Sequence, residues 1–276
     1  MKLAVLADIH ANLPALLAVS THIDAWQPDR VIVAGDVVNR GPRPAECLRF
    51  VQDRQRERDW QVVIGNHEEY VIDQAHPDAP RSGPQFDIHI GSYWTYRKLG
   101  EDVSALEAMP FQFSLPGPDG SEVRVTHASM AGTRVGIFPR TADSELGVLI
   151  GSPAPALFCV GHTHIPFVRS LDGALVVNVG AVGLPFDGDT RAGYAQIVWS
   201  HDRWQAGIVR LDYDRAQTER DFYDTGFLDE AASFARLVHV ELRTARSLIY
   251  DWTRRYEARV LEGELTVEEA VEDYLN

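Results

Sequence analysis

Five short apolar runs along this chain each end on side chains that can hold a proton or a cation. Leu3–Ala7 runs into Asp8-Ile9-His10, Val31–Ala34 into Gly35-Asp36, and Val62–Ile64 into Gly65-Asn66-His67-Glu68. Val123–Thr126 runs into His127, and Leu157–Val160 into Gly161-His162-Thr163-His164. Aliphatic and β-branched runs of this length, bounded by Gly, Asp and Asn, predict buried strands. Helical spacing fills the gaps between the first three. One helix is predicted to start near Leu13-Pro14, with Leu16, Leu17, Val19 and Ile23 on its buried face. A second is opened by Pro42 and Pro44 and carries Cys47, Leu48, Phe50 and Val51, before a charge-rich, solvated stretch over Gln52–Asp59. A β-α-β-α-β order implies a largely parallel sheet with right-handed crossovers, whose strand ends share the edge where ligands gather.

Beyond the third strand the pattern changes. His76–Gln85 predicts an exposed loop, and Ile88–Met109 a helix burying Tyr93, Trp94, Leu99, Val103 and Leu106 until Pro110 stops it. Phe111–Val179 reads as short strands and turns of a second, more antiparallel sheet, which Ala195–Val198 and Gln205–Leu211 would close. From Asp229 to Leu261 the spacing predicts one long amphipathic helix with Leu242, Ala245, Ile249, Trp252 and Tyr256 on a single stripe. Thr266-Val267-Glu268-Glu269 is a capping box for a final helix reaching Leu275. A main domain over 1–213 and a helical extension over 214–276 follow. The extension's stripe would pack on the core, close over the site edge as a lid, or form a homodimer contact.

Composition narrows the partners. Among 276 residues, 26 basic against 40 acidic side chains leave a formal net charge of -14, which repels phosphate backbones and excludes a general nucleic-acid binder. A small anionic substrate is not excluded, because divalent cations invert the field inside a site. Cys47 and Cys159 sit in apolar surroundings without metal-ligand spacing, as free thiols do in a reducing compartment. No signal peptide and no membrane-length apolar run are visible, so a cytoplasmic location is expected, without membrane attachment.

The strand ends collect Asp8, His10, Asp36, Asn66, His127, His162 and His164. Carboxylate, imidazole and carboxamide donors without thiolate suit Mn²⁺, Fe, Zn²⁺ or Co²⁺ better than Ca²⁺ or Mg²⁺. Seven donors exceed one tetrahedral site and fit two sites sharing a carboxylate, for which Asp36, on the central of the first three strands, is placed. Two ions about 3.5–4 Å apart activate water at neutral pH and clamp a phosphoryl group during in-line displacement. Alternation along an extended Gly-His-Thr-His segment would aim both imidazoles one way. The Gly before Asp36, Asn66 and His162 would allow sharp turns close to a metal. His22, His76, His89, His201 and His239 lie outside these motifs and read as structural residues.

In order, D-x-H, G-D, G-N-H-E, a lone H and G-H-x-H resemble the signature of the calcineurin-like metallophosphoesterase superfamily, over residues from about 3 to 200. The resemblance implies an α/β fold, a four-layer α-β-β-α sandwich of two mixed sheets. It implies two divalent ions, Mn²⁺ foremost, with Fe, Zn²⁺, Co²⁺ or Ni²⁺ as alternatives. Asp8, His10, Asp36 and His164 would hold one; Asp36, Asn66, His127 and His162 the other. His67 would be the acid for the leaving oxygen, and Arg40, with Asn66 and His67, would contact substrate phosphate. Val177-Asn178-Val179-Gly180-Ala181-Val182-Gly183 and Asp187-Gly188-Asp189-Thr190-Arg191-Ala192-Gly193-Tyr194 resemble small bacterial and archaeal phosphodiesterases, some relatives of which cleave diadenosine polyphosphates. Gly35-Asp36-Val37-Val38-Asn39-Arg40-Gly41 is similar instead to the G-D-x-V-D-R-G of Ser/Thr phosphatases and symmetrical diadenosine tetraphosphatases. Three positions depart: Asn39 replaces the Asp that steadies the catalytic His, Ala11 replaces a Gly, and Val179 a Pro. A metal-dependent phosphodiesterase or nucleotide hydrolase is the expected enzyme. The alternatives are a Ser/Thr-type protein phosphatase and a non-catalytic metal-bound scaffold of the retromer kind, against which His67 and the full ligand set speak.

Overall fold

In the computed structural model, which describes residues 1–276, β1 (Lys2–Leu6) is covered on both faces. Leu3, Val5 and Ala7 point into the space between two sheets, while Ala4 and Leu6 face helices. A strand buried on both sides needs apolar residues at every position, which is why the run is continuous rather than alternating. α1 (Leu13–Trp26) starts where Asn12 Oδ1 accepts the Ala15 N–H at 3.2 Å, with Pro14 in the first turn. β2 (Arg30–Val33) and β3 (Gln61–Val62) lie parallel beside β1. Between them, α2 (Pro44–Arg58) continues through the charge-rich stretch, which is largely exposed as expected. Arg, Gln and Glu are good helix formers, and Arg54 stacks on Phe50 and Trp60 while pairing with Asp24 at 2.9 Å.

α3 (Asn66–Ile72) follows β3 at once. α4 (Pro84–Lys98) begins inside the expected loop, and Gly100 at φ +74° separates it from α5 (Ser104–Glu107), so the helix predicted over 88–109 is two helices. The second sheet holds β4 (Gln112–Pro116), β5 (Glu122–Thr126), β6 (Leu157–Val160), β7 (Phe167–Leu171) and β8 (Ala174–Asn178), ordered β4-β5-β6-β8-β7. It is mixed, with β5, β6 and β8 parallel. α6 (Asp143–Leu149), absent from the sequence expectation, covers its outer face with Leu146 and Leu149; seven residues carry too little period to show.

β9 (Ala192–Ser200) and β10 (Arg203–Leu211) do not close that second sheet as expected. β9 pairs antiparallel with β1, Lys2 opposite Val198 and Val5 opposite Ala195, giving the order β10-β9-β1-β2-β3. A strand's local pattern carries no record of its partner, which here lies 190 to 196 residues away. Ile32, Ala34 and Val63 from this sheet meet Val125, Cys159 and Val177 from the other, and helices cover both outer faces, completing the four layers.

α7 (Arg215–Asp224) was not legible either, because hydrogen bonds rather than an apolar stripe hold it. Asp221 takes Arg43 at 2.7 Å, and Thr218 donates to Asn12 Oδ1 at 2.9 Å. The single long tail helix is instead α8 (Phe227–Glu230), α9 (Ala232–Thr244), α10 (Ile249–Trp252), a π-helical turn over Thr253–Glu257, and α11 (Ala258–Leu261). Ala245 adopts φ +51°, and buried Glu241 accepts the N–H groups of Leu248 and Ile249 at 2.7 and 2.9 Å, restarting the helix in a new direction. All five stripe residues are nonetheless buried, Leu242, Ile249, Trp252 and Tyr256 in one cluster with Trp94 of α4. α12 (Val267–Leu275) opens on the expected capping box, Thr266 with Glu269. No helix is long and apolar enough to cross a membrane.

Candidate metal centre

The C-terminal ends of β1, β2, β5 and β6, with the start of α3, meet along one edge of the sandwich and bring all seven predicted donors together. Asp8, His10, Asp36 and His164 place one ligand atom each within 4.8 Å of one another. His10 Nε2 lies 3.2 Å from His164 Nε2 and 3.6 Å from Asp36 Oδ2, and His164 Nε2 lies 3.4 Å from Asp8 Oδ1. Beside them, Asn66 Oδ1 is 2.9 Å from both His127 Nε2 and His162 Nδ1, and His127 Nε2 is 3.3 Å from Asp36 Oδ2. Asp36 Oδ2 therefore belongs to both groups. Donors bound at about 2.0–2.2 Å around one ion stand roughly 3.0–3.5 Å apart, the spacing seen here.

Backbone contacts aim these atoms. His162 N–H donates to Asp8 Oδ2 at 2.9 Å, and His67 N–H to Asp36 Oδ1 at 2.9 Å, so one oxygen of each carboxylate is anchored and the other is free to face the cluster. Asp8 Oδ1 is buried with no hydrogen-bond partner, an arrangement costly unless a cation completes it. His127 Nδ1 is 2.8 Å from the Ala34 carbonyl, and His164 Nδ1 contacts that of Leu184. A ring whose Nδ1–H is used in this way presents the Nε2 lone pair inward, as in metal-bound histidines. Burial opposes ionisation of Asp36, but His127, His67 and His10 outweigh it and hold the carboxyl well below its usual range. Burial also lowers His127, yet Asp36 carries it up to about 10, whereas burial and the His127 charge push His162 down to about 3. The carboxylates thus draw positive charge to one point. A bound ion would displace the His127 proton.

The loops that do this are strained. Asp8, His10, Ala11, Asp36, Asn39, Arg40, His162 and His164 all have φ between +47° and +67°. Left-handed backbone costs about 1–2 kcal/mol per residue and persists only where neighbours enforce it. The enforcement is a set of loop-to-loop hydrogen bonds: His10 N–H to Asp36 O at 3.0 Å, Gly183 N–H to Asp8 O at 2.9 Å, and Gly161 N–H to His127 O at 2.8 Å. The Gly-His-Thr-His segment is accordingly a tight turn rather than the extended run expected, and its imidazoles reach different halves of the cluster. Asn178 holds that turn, donating to Gly161 O at 2.7 Å and Thr163 Oγ1 at 2.9 Å.

Of the three motif glycines, only Gly35 has a positive φ; Gly65 and Gly161 are required by crowding. A Cβ on Gly65 would sit 2.1 Å from Asp36 Oδ1, and one on Gly161 2.6 Å from Asp8 Oδ2. Gly183 is tighter still, at 1.8 Å from the Ile9 carbonyl. Gly183→Ala is therefore expected to displace the Asp8–His10 loop and weaken metal binding at least about tenfold, measured by metal titration of the purified variant. Wild-type affinity would show that the loop does not need this contact.

Glu68 carries a function that the motif did not disclose. Its Oε2 accepts the N–H groups of Asp36 and Gly65 at 2.8 and 2.9 Å, and its Oε1 those of Val37 and Val38 at 2.8 and 3.1 Å. Burial and the neighbouring Asp36 push its carboxyl up to about 7 against the pull of these amides. The available signal was an acidic residue three positions after Gly65, a helix-start pattern. His67 contacts Asn39 Nδ2 through Nδ1 at 3.0 Å. Because Asn39 Oδ1 accepts the Arg40 N–H at 2.9 Å, the amide must present its NH₂ to the ring. His67 then accepts at Nδ1 and carries its proton on Nε2; burial holds its pKa well below the ordinary value. Arg40 is half-buried and lines the cleft with no ion pair to its guanidinium. Arg134 and Tyr70, not singled out from sequence, line the same cleft of about 460 Å³.

Residues 1–200 match the calcineurin-like phosphoesterase superfamily domain. An uncharacterized protein of Methanocaldococcus jannaschii is 28% identical over 232 residues, 77% of this chain and 88% of that protein. A metallophosphoesterase structure from Sphaerobacter thermophilus has 26% identity and a TM-score of 0.69, covering 89% of this chain and 99% of that one. A hypothetical protein from Pyrococcus horikoshii shares the fold at a TM-score of 0.74 and 19% identity, covering 90% and 99%. The symmetrical bis(5'-nucleosyl)-tetraphosphatase of Stutzerimonas stutzeri is 38% identical over 71 residues, 25% of each chain.

Proposed function

Since the chain belongs to the calcineurin-like phosphoesterase superfamily, we propose that it is a metal-dependent phosphodiesterase or nucleotide hydrolase working at the cluster around Asp36. The observation that carries this is the donor set itself: two groups of N and O atoms at ligand spacing, sharing Asp36 Oδ2, with Asp8 Oδ1 buried and unpartnered. Asp8, His10, Asp36 and His164 would hold one divalent ion, and Asp36, Asn66, His127 and His162 the other; Mn²⁺ is the first candidate. When bound, such a pair supplies a nucleophilic hydroxide at neutral pH and neutralises phosphate charge.

The chain's own groups do the rest. Arg40, which forms no ion pair although buried Glu241 feels its charge, offers a planar fork to phosphate oxygens. His67 donates from Nε2 to the departing oxygen, with Nδ1 held by Asn39. Asn39 leaves the ring neutral where an Asp would favour the imidazolium, which supports diester or nucleotide hydrolysis over protein-phosphatase chemistry. The partial similarity to a symmetrical bis(5'-nucleosyl)-tetraphosphatase, whose branch carries Asp at that position, supports a nucleotide substrate separately from Asn39.

The test is Mn²⁺-supplemented hydrolysis of bis-p-nitrophenyl phosphate beside p-nitrophenyl phosphate. The diester is expected to be cleaved faster. His67→Asn should slow an alkyl diester by about 10²–10⁴-fold but the nitrophenyl diester far less, since a good leaving group needs little proton donation. Monoester preference would move the assignment to a phosphatase. No turnover in protein holding two ions per chain would leave a scaffold.

A further inference from the structure

A second cavity, of about 210 Å³, opens beside the metal cleft between α4 and the tail helices. Arg40, His67, Tyr70, Ile249 and Thr253 line both spaces, so the two adjoin across a wall that contains His67. Ile88, Phe227, Phe234 and Val238 give it an apolar side. Among its polar lining residues, Arg40 at the metal-cleft side and the half-buried Glu257 and His89 form no side-chain hydrogen bond and no ion pair within the protein. Glu257 acts electrostatically on His89 across the cavity. The π-helical turn sets this up. Trp252, Tyr256 and Val260 turn into the tail's core while Thr253 and Glu257 face the cavity, and π turns recur at functional sites.

We infer that this chamber receives the base of a nucleoside leaving group, with Glu257 accepting hydrogen bonds from an exocyclic amino group on the ring. The inference rests on the phosphoesterase reading above. In an in-line displacement the departing group lies on the side of the proton donor, and this chamber shares His67 with the cleft. Hydrolysis breaks the phosphorus–oxygen bond to the nucleoside and forms one to water's oxygen. The departing oxygen takes the His67 Nε2 proton, and the ring is reprotonated by the proton that water loses. The chamber holds one planar ring system between apolar walls, with a carboxylate as the selective group.

The experiment is calorimetric titration of metal-loaded protein with guanosine, adenosine, cytidine and uridine. None contains phosphate and none is turned over, so this outcome and that of the hydrolysis assay are independent. The three amino-bearing nucleosides are expected to bind at least about tenfold more tightly than uridine, a preference lost in Glu257→Leu. Ala235→Phe, which fills the chamber, should abolish binding of all four. If it fails to fold, the partly exposed Glu257 position still decides the matter. Wild-type protein that binds none of the four, shows no preference, or keeps its preference in Glu257→Leu would overturn the inference.

Discussion

Asp36→Asn is expected to lower diester turnover by about a thousandfold, roughly 4 kcal/mol of transition-state stabilisation, and to reduce the metal held by the purified protein below two ions per chain. The reason is geometric. Asp36 Oδ1 is anchored by the His67 N–H, and Oδ2 is the one atom facing both His10 and His127. An asparagine that keeps the anchored oxygen must turn its NH₂ toward both donor groups, replacing the negative charge they share with donor hydrogens. Metal analysis after gel filtration and a diester assay at saturating Mn²⁺ check the two halves separately. A variant that keeps two ions and turns over within tenfold of wild type would remove Asp36 from the bridging position.

Glu68→Gln is expected to be the most damaging substitution at a residue that touches no metal. Both carboxylate oxygens accept two backbone amides each, all from the segments that carry Asp36 and Asn66. One oxygen becomes an NH₂ group, which leaves two buried N–H groups facing a donor at a cost of about 2–5 kcal/mol. For a chain of this size, that lowers Tm by about 5–15 °C. Metal affinity should fall about 10–100-fold as the Asp36 turn loosens, the usual consequence of losing a group that orients a ligand. Thermal melts with and without Mn²⁺, with metal titration, measure both. Unchanged melting would mean that the turn is held by its backbone bonds to the Asp8–Ala11 loop alone.

Most of this site was readable before any coordinates, because metal chemistry restricts the residue types and the ends of buried strands restrict their positions. Asp8, His10, Asp36, Asn66, His127, His162 and His164 each follow an apolar run, and all seven converge. The reasons were less well read. The histidines of Gly-His-Thr-His reach the cluster through left-handed turns, not alternation, and Gly65 and Gly161 are needed for space beside a carboxylate rather than for a positive φ. Glu68 stood inside a recognised motif, and its bond to the Gly65 N–H has a local helix-start pattern, but the other three N–H groups it accepts lie about thirty residues away and leave none.

Local spacing and side-chain chemistry are enough to specify the buried strands, the first helices, the capping box at Thr266 and the donor set. Tertiary structure alone decided the placement of β9 and β10 beside β1, the breaking of the tail helix at Ala245, and the chamber between α4 and Glu257. Strand partners and helix breaks depend on contacts between segments far apart in the chain. A buried carboxylate such as Glu241 can redirect a helix whose own periodicity would carry it straight on.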